Sequence, residues 1–259
     1  MSNIPLIHPT AIIEPGAQLG TNVRVGPYSY IAADVVIGDD CEIGSHVVIK
    51  GPTRLGKANR IFQFASVGEE CQDKKYRGEP TQLVMGDRNV VRECVTIHRG
   101  TVQDQGLTSI GSDNLFMAYV HIAHDCVVGN NVILANCATL AGHVKIEDWV
   151  IVGGMSAFHQ FNRVGAHAFV AGGSAVRKDI PPYVMAQNDN AHGINAEGLK
   201  RRGFSADQIG ALRQAYRILY RQGLTLAEAM PQLAELAEKS VEVAPFVEFL
   251  RHAERGIVR

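Results

Sequence analysis

Residues 25–49 read VGPYSY IAADVV IGDDCE IGSHVV I, and breaking them every sixth position puts an aliphatic side chain at the head of each group. Outward from this stretch the beat runs unbroken through Ile7, Ile13, Leu19, Val25, Ile31, Ile37, Ile43, Ile49, Leu55, Ile61 and Val67. It resumes at Met85, Val91 and Ile97, and again from Ile110 through Phe116, Ile122, Val128, Leu134, Leu140, Ile146, Val152, Phe158, Val164 and Val170 to Val176. Four places after a head there is usually a small or β-branched residue, as at Ala11, Ala17, Val23, Ser29, Val35, Cys41 and Val47. Period six fits neither an α-helix nor a simple alternating strand, and it is the mark of a hexapeptide-repeat β-helix whose coils each bury one layer of side chains. Three hexads close one triangular coil, so residues eighteen apart stack roughly 4.8 Å from each other, the strand spacing.

Two interruptions break the beat. Residues 71–82 (CQDKKYRGEPTQ) are polar and preserve phase, and a stretch at about 103–108 shifts it by one. Both are expected as loops extruded from the solenoid; such loops often form the binding face of a repeat protein, although a plain surface excursion explains the second equally well. The repeat stops at Lys178-Asp179-Ile180-Pro181-Pro182, since two prolines cannot feed a ladder. The expected division is a β-helix over 1–182 and a helical domain over 183–259. Capping boxes at Ser205/Gln208 and Thr225/Glu228 open two helices, Gly223 ends the first, and Pro245 begins a third. A solenoid needs its open end covered, and that is the first role of this tail.

Bulk properties exclude several classes. With 25 basic and 26 acidic residues in 259, the charge balance does not suggest nucleic acid or membrane-surface binding. Residues 1–10 lack the charged head and apolar core of a secretory leader, and no apolar run is long enough to span a bilayer. Five cysteines without framework spacing, two of them (Cys41 and Cys126) in the small inward slot, read as reduced thiols of a cytoplasmic protein. No CxxC pair, GxSxG elbow, P-loop or GxGxxG turn is present.

Histidines gather in the third run, and His121-Ile122-Ala123-His124-Asp125 is the densest block. Ile122 points inward, so His124 and Asp125 fall on the outer face. Adding eighteen sets Gly142 over His124 and His143 over Asp125. A histidine oriented by a carboxylate makes a general base. A second column, Ala118, Asn136, Gly154 and Gly172, leaves either a furrow for an extended acyl chain or a set of tight turns. Asn195, Glu197 and the cations Lys200, Arg201 and Arg202 precede a helix and suit a diphosphate, as do Lys74, Lys75 and Arg77 in the first loop; both sets also read as solvated charge.

From Ile7 to Arg259 the chain resembles the UDP-N-acetylglucosamine O-acyltransferases, the first enzymes of lipid A biosynthesis. The resemblance rests on Gln63–Gly68 (QFASVG), Asp87–Asn89 (DRN), Thr96–Thr101 (TIHRGT), His121–Asp125 (HIAHD), Ala141–His143 (AGH), His159–Phe161 (HQF) and Glu197–Phe204 (EGLKRRGF). It implies a left-handed parallel β-helix, an exception to the usual right-handed crossover, assembled as a homotrimer with sites between subunits. It further implies transfer of a 3-hydroxyacyl group from acyl carrier protein to the glucosamine 3-hydroxyl of UDP-N-acetylglucosamine, with no cofactor and no metal. His124 matches the family's general base, Asp125 its orienting partner, and the Gly142 amide its oxyanion donor. Gln72, Asp73, Lys75, His121, His143, Gln160, Asn195, Glu197, Arg201 and Arg202 match substrate contacts, and His159 a further active-site position. Gly172, with Gly154 beneath it, matches the acyl-chain ruler; glycine there implies a donor of 3-hydroxylauroyl or 3-hydroxymyristoyl length. Cys71, Lys74 and residues 187–194 depart from the family pattern.

Three rival readings stand beside this one, and the first, a non-enzymatic scaffold, has no need of the outward His-Asp-His cluster. The N-acyltransferase two steps later carries an extra N-terminal domain, for which hexads beginning at Ile7 leave no room. A β-helical carbonic anhydrase would bind metal between subunits through histidines such as His98, His121, His124 and His143, and metal analysis separates it from the transferase.

Overall fold

A computed structural model describes residues 6–253 and 255–259; part of the amino-terminal stretch read as lacking a leader lies outside the described residues. Short parallel strands wind into a three-sided prism with a nine-stranded, an eight-stranded and a ten-stranded sheet among the described residues. The winding is a left-handed parallel β-helix. Successive coils pair eighteen apart, as Ile13 with Ile31 and Ile122 with Leu140. The aliphatic head of each hexad fills the prism: Ile31, Val67, Phe116, Ile122, Leu134 and Leu140 are fully buried.

Parallel pairing depends on the corners. At nearly every one, a non-glycine residue takes a left-handed backbone, with φ of 58° at Asn22, 58° at Asp125, 64° at His143 and 66° at Phe161. Such a conformation costs about 1–3 kcal/mol at an isolated site and persists where the surroundings over-determine it. Here the two flanking strand ladders do so. The corner residue therefore projects outward, and corner side chains of consecutive coils stack. Inside, Asn59, Asn89 and Asn114 form a buried ladder, with Asn89 Nδ2 donating to Asn59 Oδ1 at 3.0 Å and the Asn114 amide to Asn89 Oδ1 at 3.1 Å.

The stacking interval is not eighteen across the loops. Leu55 pairs with Met85, and Met85 with Ile110, so these coils are longer and the surplus leaves the prism at one corner. Nor do the prolines end the ladder. Val184–Gln187 still pairs in parallel with Phe169–Val170 before turning into an antiparallel hairpin with Asn190–Ile194. Pro182 takes a corner place whose N–H makes no backbone ladder bond in the coils below, and Pro181 takes the place that donates to the next coil in Glu147 and Gly165, on a face whose strands have already ended. Helices α1 (Ala196–Arg201), α2 (Ala206–Arg221), α3 (Leu226–Lys239) and α4 (Ala244–Arg251) follow, and both expected capping boxes form. The last residues return to the prism, where Ile257 bridges to Asp179 and the Val258 amide donates to its carbonyl at 2.9 Å. No helix among the described residues is long and apolar enough to cross a membrane.

Candidate active site

His124 and Asp125 occupy the corner between strands His121–Ile122 and Val127–Val128. The sequence places them on an outer face, but the structure buries both: His124 is 8% exposed and Asp125 3%. The reason is the second loop. Residues 99–106 leave the prism one coil below and fold back over this same corner. There Thr101 donates twice to the Asp125 carboxylate, from its amide to Oδ1 at 2.8 Å and from Oγ1 to Oδ2 at 2.6 Å. His124 Nδ1 lies 2.8 Å from Oδ2, and the Asp125 amide donates to Thr108 Oγ1 at 2.8 Å. Burial alone would raise this carboxyl, yet the hydrogen bonds from His124 and Thr101 outweigh it and hold the group below its ordinary value. An ionised Asp125 in turn fixes the hydrogen of His124 on Nδ1 and leaves Nε2 as the basic atom.

Gly142 stacks on His124 as the eighteen-residue interval requires. A Cβ at 142 would lie 2.5 Å from His124 Cε1 and 2.6 Å from Nε2, so only glycine leaves room for the ring. The Gly142 N–H donates to no acceptor among the described backbone bonds. His143 stands edge-on to His124, with ring centroids 5.1 Å apart, and lies flat on Phe161 at 4.3 Å. Asp125, His143 and Phe161 are thus one corner column. On the adjoining strand, Thr96 Oγ1 and His121 Nδ1 are 2.7 Å apart, and the His121 ring meets that of His98 at 5.0 Å. His159 is exposed, with Nδ1 3.2 Å from the Gln160 carbonyl, which also accepts from Arg255.

One chain therefore brings together His121, His124, Asp125, Gly142, His143, His159 and Gln160. The remaining candidates lie elsewhere. Gln72 and Lys75 are exposed on the first loop, where Asp73 accepts from the Lys75 amide at 2.8 Å. Arg99 pins that loop through Gly68 O at 2.7 Å and Tyr76 Oη at 3.1 Å. Asn195 caps α1, accepting from the Gly198 amide at 3.2 Å and donating to His167 O at 3.0 Å. Glu197 pairs with Lys200 at 2.8 Å, Arg201 is exposed, and the Arg202 guanidinium sits 5.2 Å over Trp149. Asn195 and Arg202 reach a different corner column, Trp149, His167 and Tyr183, while Glu197 and Arg201 lie on the short helix that Asn195 caps. Gly154 and Gly172 stack on the third corner, where an added Cβ at Gly172 would lie 3.1 Å from Gly154 O. Between that corner and His124 runs a groove of about 370 Å³ floored by Ala141, Ala157 and Ala175.

Sequence reasoning missed Thr101, Asp104, Phe161 and Arg255. Phe161 was available to the same arithmetic that found His143, being eighteen residues further on. Asp104, whose Oδ2 is 2.9 Å from His143 Nδ1, carries no periodic signal. His124, Asp125 and His143 could also present three ligand atoms within 4.8 Å of one another. Asp125 is spoken for, however, by Thr101 and His124, so a metal would have to displace bonds already made.

His98 is 4% exposed, and burial holds its imidazole down at about 4; burial also lowers His167 to about 4. A histidine kept neutral on folding stabilises fully above its unfolded value of about 6.5 and progressively less as pH falls towards 4. For His98 the loss by pH 5 is about 2 kcal/mol, or several degrees in Tm. Burial raises Glu147 and Asp179, which pulls the other way. The His98 contribution is therefore read as the difference between wild type and His98→Gln: the wild type should lose more Tm from pH 7 to pH 5. Parallel curves would remove it.

Likeness to known proteins points to an acyltransferase. A model described as UDP-N-acetylglucosamine O-acyltransferase, domain 2, matches residues 179–258, and one for bacterial transferase hexapeptides matches 16–51 and 107–142. LpxA from Acinetobacter baumannii is 49% identical, with a TM-score of 0.96 over 98% of this chain and 100% of that one. The UDP-N-acetylglucosamine acyltransferase of Francisella novicida is 42% identical, with a TM-score of 0.94 over 98% of this chain and 94% of that one. The Arabidopsis enzyme of that name is 34% identical, with a TM-score of 0.85 over 98% and 100%. With periodicity, corner chemistry and near full-length likeness in agreement, the chain belongs to the UDP-N-acetylglucosamine O-acyltransferase family.

Proposed function

We propose that this chain transfers a 3-hydroxyacyl group from acyl carrier protein to the glucosamine 3-hydroxyl of UDP-N-acetylglucosamine, the first step of lipid A biosynthesis. The observation that carries the reading is the His124–Asp125 dyad set against the Gly142 amide. His124 Nε2 takes the proton of the 3-hydroxyl as its oxygen attacks the thioester carbonyl. The tetrahedral oxyanion accepts a hydrogen bond from the Gly142 N–H, a contact worth about 3–4 kcal/mol where such donors have been removed. Collapse forms the ester and breaks the carbon–sulfur bond, and the departing thiolate takes the proton from His124. The thioester is already activated, so the scheme needs no cofactor.

The remaining substrate contacts support assembly as a homotrimer. Asn195 and Arg202 lie against a corner other than that of His124, with Glu197 and Arg201 on the helix that Asn195 caps, so a site using both sets draws them from neighbouring chains. Tyr28, Phe64, Tyr119 and Met155 are 59–68% exposed and follow one another along the third corner, where water is a poor neighbour. Packing that corner about a threefold axis would bring the other two corners of adjacent chains together over the alanine-floored groove. The first loop would then act across the interface. Carrier protein and nucleotide sugar place the reaction in the cytoplasm.

One assay tests the reading: purified protein, its solution mass measured, with UDP-N-acetylglucosamine and a panel of 3-hydroxyacyl carrier proteins. We expect a trimer that prefers 3-hydroxylauroyl or 3-hydroxymyristoyl donors. Absence of sugar acylation with every donor would refute the function. In Gly172→Met the side chain should block the groove and shift preference by about tenfold towards shorter donors, since each buried methylene is worth about 0.8 kcal/mol. Unchanged chain selectivity would remove the ruler.

A further inference from the structure

The loop that buries the dyad carries a second carboxylate, which the scheme above does not use. Asp104 Oδ2 meets His143 Nδ1 at 2.9 Å across 39 positions of sequence, a contact that exists only because the loop folds back over the corner. The His143 side chain is 11% exposed, and Phe161 lies flat against its ring with centroids 4.3 Å apart and planes 8° from parallel. Its far nitrogen, Nε2, faces the dyad, 3.9 Å from Asp125 Oδ2. A carboxylate only accepts hydrogen bonds, so the Nδ1 facing it carries the hydrogen. In its neutral form a ring so held offers a lone pair at Nε2, beside the atom proposed to deprotonate the sugar.

We propose that Asp104 is a positioning residue. It holds His143 as the Nδ1–H tautomer, so that Nε2 accepts a hydrogen bond from a hydroxyl of the acceptor sugar and sets that sugar against His124. The inference rests on the transferase reading. The alternative is that Asp104 only latches the loop. Thr101 already does so through two bonds to Asp125, and a lost latch would disturb the dyad and so lower kcat. A tautomer-setting role instead falls on sugar binding, because the hydroxyl contact is made in the ground state as well as in the transition state.

The test compares wild type, Asp104→Ala and Asp104→Glu by two readouts. Histidine-¹⁵N-labelled protein at pH 8, with His143→Gln as the assignment reference, reports the tautomer and needs no substrate. Steady-state kinetics report KM for UDP-N-acetylglucosamine apart from kcat. We expect Nδ1–H in the wild type and Nε2–H in Asp104→Ala, with KM raised about tenfold, the loss of one hydrogen bond. We expect kcat to stay within about threefold, and Asp104→Glu to recover both properties in part. An Nε2–H wild type, a tautomer unchanged by Asp104→Ala, or a fall in kcat without a rise in KM overturns the proposal. A wild type that does not acylate the sugar overturns the transferase reading, and with it the hydroxyl acceptor, while the spectrum still reports separately whether Asp104 holds the ring.

Discussion

His124→Ala is expected to lower kcat about a thousandfold while leaving the protein folded. A positioned general base contributes roughly 10²–10⁴, and the placement of this one argues for the middle of that range. Its Nδ1 is tied to a buried carboxylate, its ring is seated against Gly142, and its Nε2 has no partner among the described residues. Alanine removes the base but not the proposed oxyanion donor, so some catalysis over water should remain. The structural cost is small. Asp125 keeps both bonds from Thr101, and the deleted ring stood at the edge of the corner rather than among the aliphatic heads inside the prism. Loss of one hydrogen bond is worth about 0.5–1.5 kcal/mol net, a few degrees in Tm for a chain of this length. The check is kcat measured beside a thermal melt. Turnover within tenfold of wild type in a folded variant would remove His124 from the reaction.

How much of this was legible beforehand depends on whether periodicity carries it. Ile122, Leu140 and Phe158 point inward by the beat alone, and the same count stacked Gly142 on His124 and His143 on Asp125. The burial of Asp125 was not legible, because it depends on where residues 99–106 travel after leaving the ladder. A six-residue rhythm says nothing about a segment that has no rhythm. The long coils were misjudged for a related reason: counting modulo six preserves phase across residues 71–82 but cannot tell that Met85 has moved to the next face and pairs with Leu55. The prolines misled because a rule about strands was applied at a corner, where the backbone makes few ladder bonds and Pro182 is tolerated. Asn195 is a fourth case. Read as a substrate contact, within its own chain it is a helix cap tied to His167, and any second role needs a neighbouring chain.

Gly142→Ala is expected to cost at least a hundredfold in kcat, and for a reason separate from the oxyanion donor. The backbone N–H is unchanged by the substitution, and φ at 142 is not in the left-handed region, so alanine meets no backbone strain there. What it meets is the imidazole: the new methyl would stand 2.5 Å from Cε1 and 2.6 Å from Nε2, inside the closest approach carbon makes to either atom. The ring can escape only by turning about χ1 or χ2, and turning it away breaks the 2.8 Å bond to Asp125 Oδ2. The base is then both displaced and free to change tautomer, two losses that act on the same step and do not add. Gly210→Ala is the matched control, since its Cβ meets nothing within 4 Å on α2 and the change should stabilise by about 0.5–1 kcal/mol without touching kcat. If Gly142→Ala turns over like wild type, His124 works from some other position than the one described, and the stacking of 142 on 124 has no part in catalysis. If it loses activity while its melt stays within a few degrees of wild type, the glycine is there for the histidine, and the eighteen-residue interval sets the catalytic geometry as well as the fold.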